Sequence, residues 1–204
     1  MGEVKASRRD MYAALTRTAI LDAARKLFVE NGFDATSVDD IARESQLSKG
    51  AVYHHFHDKQ QVFAEVYRAA ATEVISVVAA AAVAPDLEPW ERAEVAARTA
   101  LSRYAAEPDT RSLLRQVTGV LGEERTRAVD SEIALPLIRG LLEELKRLEL
   151  LRPVDVETTA QMVFRLLAEA SLAIALAADP DAASREVEIV MLSMLRGLRA
   201  DASP

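Results

Sequence analysis

Cysteine is absent from the 204 residues, which removes disulfides and thiol chemistry from consideration. Aromatic side chains are scarce, with one Trp, four Tyr and five Phe. A chain that is half apolar must therefore fill its core mainly with aliphatic residues and alanine. Glycine and proline number only seven each, and Ala and Leu dominate, so the composition predicts a mostly helical protein with no strands. No run of 18 uncharged apolar residues occurs, and no membrane-spanning helix is expected. The opening MGEVKASRRDMYAALTR has no apolar signal core, so a cytoplasmic protein is expected.

Catalytic signatures are missing as well. There is no phosphate-binding glycine loop, nucleophile elbow or zinc motif. Glu123-Glu124 and Glu143-Glu144 read as solvated helix faces rather than acid–base pairs. His54, His55 and His57 have no cysteine to join them, and neighbours on a helix diverge by about 100°. Neither metal nor cofactor is expected. A broad basic surface is lacking too. The net charge of −7 divides into −1 for residues 1–67 and −6 for residues 68–204. A nucleic-acid partner would have to be held by a few placed cations rather than by bulk attraction.

What is present is concentrated in residues 36–63, TSVDDIARESQLSKGAVYHHFHDKQQVF. Three short helical pieces follow one another, each behind a capping residue: Thr36-Ser37, Ser48 and Asp58. Gln61 stands three residues after Asp58, a capping-box spacing. Two short helices separated by three or four residues have the proportions of a helix-turn-helix. The second piece puts Lys49 in its first turn, against the helix dipole, and Gly50 next to it. That start is poor for stability and good for close approach to phosphate. Val52 and Phe56 turn inward, so Tyr53, His54 and His55 face out, as on a helix lying in a major groove.

These residues resemble the DNA-binding domain of the TetR family of bacterial transcriptional regulators. The resemblance is carried by Thr36, Ile41-Ala42, Ser48, Gly50, Val52-Tyr53, His55-Phe56 and Lys59. Ile20-Leu21, Ala23-Ala24, Leu27-Phe28 and Gly32-Phe33 extend it upstream, so that it covers about residues 14–67. It implies an all-α fold: an N-terminal three-helix helix-turn-helix domain (1–67, with a loose arm over 1–13) and a C-terminal helical ligand-binding and dimerisation domain (68–204). DNA contacts are expected from Thr36, Ser37, Ser48, Lys49, Gly50, Ala51, Tyr53, His54, His55 and Lys59. Of these, Tyr53, His54 and His55 would meet bases, and Thr36, Ser48, Lys49 and Lys59 phosphates.

Beyond residue 59 the apolar periodicity predicts a long helix to about Val83, then helices near 88–106, 109–119, 123–150, 155–178 and 182–199. Pro136 should kink or split the fourth of these six. The helix from 155 is apolar nearly all round, and one chain is not expected to cover both it and the last helix. A homodimeric four-helix interface built from Leu166, Leu167, Ala170, Ile174, Val187, Val190, Met191, Met194 and Leu195 is therefore expected. Thr158, Gln161, Arg165 and Glu169 make one polar stripe that faces either solvent or a cavity. Trp90, Tyr104, Gln161, Met162, Phe164 and Arg165 are the candidate ligand-binding residues, with ordinary core packing the alternative for the apolar ones. The expected function is a repressor released from a palindromic double-stranded DNA operator by a small apolar or amphipathic effector. The alternatives are an activator, a regulator answering to a protein partner, or an enzyme housed in the C-terminal helices.

Overall fold

A computed structural model describes residues 8–84 and 86–200. Among the described residues the regular secondary structure is entirely helical, apart from an isolated antiparallel bridge between Leu151 and Arg199. The helices are α1 (Arg8–Asn31), α2 (Val38–Glu44), α3 (Lys49–His55), α4 (Lys59–Ala82), α5 (Pro89–Ala106), α6 (Pro108–Leu121), α7 (Glu123–Arg147), α8 (Val156–Leu176) and α9 (Pro180–Arg196).

Helix ends follow the side chains that satisfy their free backbone groups. Ser37, Ser48, Asp58, Asp155 and Asp179 each accept a hydrogen bond from the amide three residues on. Pro89, Pro108 and Pro180 occupy first turns, where a missing N–H costs nothing. Gly32 ends α1 with φ +83°, the left-handed cap that its sequence position predicts.

The helices depart from the expected pattern at two places. The first helix begins at Arg8, so residues 8–13 of the expected loose arm are helical, while residues 1–7, with Lys5, lie outside the described residues. Asp10 in the opening turn suits the positive end of the dipole. Likewise α7 runs unbroken through Pro136. Pro136 is exposed, so the carbonyl it leaves without a donor can turn toward solvent instead of breaking the helix.

The N-terminal core gathers Ile20, Ala24, Phe28, Ile41, Val52, Phe56, Val62, Phe63 and Val66. Phe28, Phe33 and Phe63 meet in a triangle with centroids 5.2 to 5.7 Å apart. That core does not close at the expected boundary after Tyr67, which falls inside α4. Leu113, Leu114 and Val117 of α6, Val129 of α7 and Ala175 of α8 belong to the same cluster.

In the C-terminal half, α8 is long and apolar enough by composition to cross a bilayer, but here it packs against α5, α6, α7 and α9. A second cluster joins Ala97 and Leu101 of α5 to Val163, Ala170, Ile174, Met191, Leu192 and Leu195. The chain therefore covers part of what was assigned to a partner. Ala170, Ile174, Met191 and Leu195 are buried within the chain, and Leu167 and Val187 are half-buried. The reason is α5, which presents a small-residue face on which one stripe of α8 and one of α9 can lie. Leu166, Val190 and Met194 stay exposed, together with Met162 and Ile189.

Candidate nucleic-acid interface and internal cavity

The reader is built from short pieces held at their ends. Ser37 and Asp40 cap α2 reciprocally: Asp40 N–H donates to Ser37 Oγ (3.1 Å), and Ser37 N–H donates to Asp40 Oδ2 (3.0 Å). The turn after α2 places Gln46 at φ +56°, and the amide of Leu47 returns to the Ala42 carbonyl at 2.9 Å. Leu47 then packs on the N-terminal core, which fixes the angle at which α3 leaves. The amide of Ala51 donates to Ser48 Oγ at 3.1 Å, and Val52 anchors the inner face of α3.

On the outer face, Lys49, Gly50, Tyr53 and His54 are exposed, and Ala51 and His55 are half-buried. Tyr53 leaves 49% of its surface open, a large uncovered area for an aromatic side chain in a ten-aromatic protein. At Gly50 a methyl group would meet nothing closer than Ser48 Oγ at 3.8 Å. The fold therefore has room for alanine there. Packing within the protein does not require glycine at this position.

The cations of this head stand in three different situations. Lys49 Nζ pairs with Asp39 at 2.8 Å, and that hydrogen bond holds its pKa above the usual lysine value. Both partners are exposed, so a phosphate can take the aspartate's place at little cost. Arg17 lies over the Phe56 ring at 5.2 Å and pairs with Glu65 at 3.1 Å.

Lys59 is different from the free phosphate-binding cation expected. Its ammonium donates to the carbonyls of Phe33 (2.7 Å) and Thr36 (2.8 Å) and lies 4.0 Å from the Phe33 ring centroid. It braces the loop between α1 and α2 against α4. Thr36, expected at a phosphate, turns inward as well. It is 1% exposed and its hydroxyl donates to the Gly32 carbonyl at 2.8 Å, so the helix cap and the outward hydroxyl belong to Ser37 alone.

The C-terminal half holds an open cavity between α4, α5, α6, α7 and α8, about 790 Å³ with the solvent at its mouth included. Aliphatic walls come from Val74, Val78, Leu137, Ile138, Leu141 and Leu167. Of the expected ligand residues, Tyr104 and Phe164 line it. The others do not. Trp90 is core, donating from Nε1 to the Leu150 carbonyl at 3.1 Å. Met162 is 61% exposed, on the outer face of α8. Gln161 bonds Glu157 on that same surface, at 3.1 Å. Arg165 and Glu169 border an adjoining outer depression, and both are exposed, as is Thr158, so the polar stripe of α8 lies on the solvent side.

Three functional candidates were not singled out in the sequence. Asp130 of α7 enters the cavity wall and accepts a hydrogen bond from the Tyr67 hydroxyl at 2.7 Å. Burial pushes its carboxyl up to about 6, against the lowering effect of the Tyr67 bond. The same burial raises Tyr67 and Tyr104 well above the ordinary phenol value. A signal for Asp130 existed: it is an acid flanked by Val129 and Ile133 on the inward stripe of α7. Gln116 of α6 accepts from the Phe33 amide at 2.7 Å and donates to the Phe28 carbonyl at 3.1 Å, linking the two halves.

A capped helix-turn-helix with an exposed second helix, joined to a helical bundle around an apolar cavity, defines a DNA-binding regulator. The model for bacterial regulatory proteins of the tetR family matches residues 20–66, and that for the tetracyclin repressor-like C-terminal domain matches residues 90–198. The chain belongs to the TetR family of transcriptional regulators and is not an enzyme.

Among its relatives, the HTH-type transcriptional repressor BepR of Brucella suis is 29% identical over 164 residues, 76% of this chain and 78% of that protein. The TetC protein of transposon Tn10 in Escherichia coli is 42% identical over 53 residues, 26% of this chain. That match spans only 27% of TetC. A TetR-family regulator from Pectobacterium atrosepticum superposes with a TM-score of 0.80 at 28% identity, covering 96% of this chain and 99% of its own. FadR of Bacillus subtilis, solved with stearoyl-CoA, shares the fold at a TM-score of 0.68 and 19% identity, covering 86% of this chain and 97% of its own.

Proposed function

We propose that the chain is a homodimeric repressor that grips a palindromic operator with two copies of α3 and lets go when a small apolar or amphipathic molecule fills the cavity. Tyr53, His54 and His55 read base edges. Lys49, Ser37, Ser48 and the backbone around Gly50 and Ala51 hold phosphates. The exposed apolar residues of α8 and α9, Leu166, Val190 and Met194 with Met162 and Ile189, supply the dimer face. The name of the relative BepR, a repressor, points the same way.

One observation carries the coupling. The helices that wall the cavity are also those that hold the reader. Tyr67, Val74 and Val78 of α4 line the cavity, and α4 begins at the Lys59 brace. Leu114 of α6 lines it too, two residues before Gln116 grips Phe33 and Phe28. A ligand that spreads these walls must move the reader, and two readers at the wrong separation lose the operator.

The test starts from genome-wide mapping of bound sites. The recovered site should be a palindrome with half-sites about 34 Å apart, or more if two dimers share it. A releasing ligand should then bind free protein more tightly than the DNA complex, by the same factor by which it weakens DNA binding. Equal ligand affinity with and without operator would contradict release by this route.

A further inference from the structure

The cavity has one charged group in its wall and nothing inside to balance it. Among its lining residues Asp130 is the only acid, and none is Lys, Arg or His. Asp130 Oδ1 accepts from the Tyr67 hydroxyl, and no other partner of the carboxylate is found among the described residues. The groups packed around it confirm its isolation. From α4 comes Tyr67, from α5 Tyr104, from α6 Leu114, and from α8 Phe164 and Ser171. Glu123, Arg127, Arg165 and Glu169 border the outer depression that Asp130 also reaches, two of each sign. Neither arginine pairs with Asp130; Arg127 lies 3.9 Å from Glu123 instead.

A half-buried carboxylate in an apolar wall, with a single hydrogen-bond donor, is left short of the solvation that water or a cation would give it. Here the pair is left for a ligand to complete. We propose that the cavity takes amphipathic organic cations, molecules with an ammonium head that meets Asp130 and an apolar body that lies along Val74, Val78, Leu137 and Leu141. This deepens the reading above, and rests on it for the consequence that such cations release DNA. The rings of Tyr67, Tyr104 and Phe164 line the same space and offer π faces to the head group. An anion of the same shape would be repelled. A neutral alcohol would gain one hydrogen bond and leave the charge uncompensated.

Partial burial pushes the Asp130 carboxyl up to about 6, which leaves it mostly ionised at neutral pH. Binding of the cation favours the ionised form and lowers that pKa. Affinity is therefore greatest above about pH 6 and declines as pH falls through it.

The experiment is calorimetric titration of the full-length protein with octylamine, octan-1-ol and octanoate, below their aggregation concentrations, at pH 7.5 and fixed ionic strength. Octylamine should bind about tenfold or more tighter than octanol, with octanoate weakest. Asp130→Asn should abolish the amine's advantage while keeping octanol binding, which also certifies that the variant cavity is intact. Lowering the pH to 5 should weaken the amine alone. Octanol binding as tightly as octylamine, an Asp130→Asn variant that keeps the amine's advantage, or no binding of any of the three would overturn the proposal. The readout contains no DNA, so its failure is separable from a failure of operator release.

Discussion

Two side chains show how much a single residue's partners change its meaning. Lys59 looks like a phosphate anchor in the sequence, because it opens a helix beside a reader. Its carbonyl partners at Phe33 and Thr36 lie 26 and 23 residues upstream, a distance no local pattern reports. Lys59→Ala should therefore lower the stability of the whole protein by about 1.5–3 kcal/mol, the worth of hydrogen bonds to a charged group. Denaturant unfolding checks this, and a variant as stable as the parent would return Lys59 to the role of a free cation. Asp130 makes the complementary prediction. Its folded pKa, about 6, lies above its ordinary value of 3.8, so ionisation costs stability. The penalty is absent below about pH 4 and complete above about pH 6. Asp130→Asn should stabilise the protein above pH 6, by up to about 3 kcal/mol, with the gain vanishing near pH 4. Unfolding curves across that range, with no ligand present, provide the check.

Among the elements, the capped ones were the most legible. The Thr36-Ser37 pair, Ser48 and Asp58 mark their helix starts in the sequence because a cap acts within three residues, and the structure gives the first cap to Ser37. The reader's outward face was legible for a related reason: once Val52 and Phe56 turn inward, helical geometry sends Tyr53 and His54 out. Assigning α8 and α9 was harder. Both are apolar on more than one side, and periodicity cannot say which stripe α5 covers and which remains open. The cavity was hidden for the same reason, since its walls read as ordinary core. The link between elements was hidden too, because Gln116 reaches 83 residues back to Phe33. Gln116→Ala leaves the Phe33 amide without its partner and should cost about 1–3 kcal/mol where the two halves meet. Operator affinity should fall with it, while binding of a cavity ligand to free protein stays within about twofold, less than half a kcal/mol. Parallel titrations with DNA and with ligand separate these outcomes. Loss of both would show that Gln116 supports the cavity itself.

For the whole molecule the question is assembly, because a palindromic operator needs two readers. A single aspartate placed for Val190 on the exposed face of α9 should leave the chain folded, since Val190 is 54% exposed in the monomer. The same charge buried in a dimer interface would cost several kcal/mol. Val190→Asp should therefore sediment as a monomer and lose operator binding, with its helical content unchanged. An intact dimer would move the interface elsewhere.

If the start of α3 is kept small for DNA rather than for the fold, Gly50→Ala should separate operator binding from stability. Nothing in the protein lies closer than 3.8 Å to the added methyl group. Alanine in place of glycine should stabilise the helix by about 0.5–1 kcal/mol. The variant should be at least as stable as the parent, while its affinity for the mapped operator falls by about tenfold or more, roughly 1.4 kcal/mol. Unchanged operator affinity in the stabilised variant would contradict it.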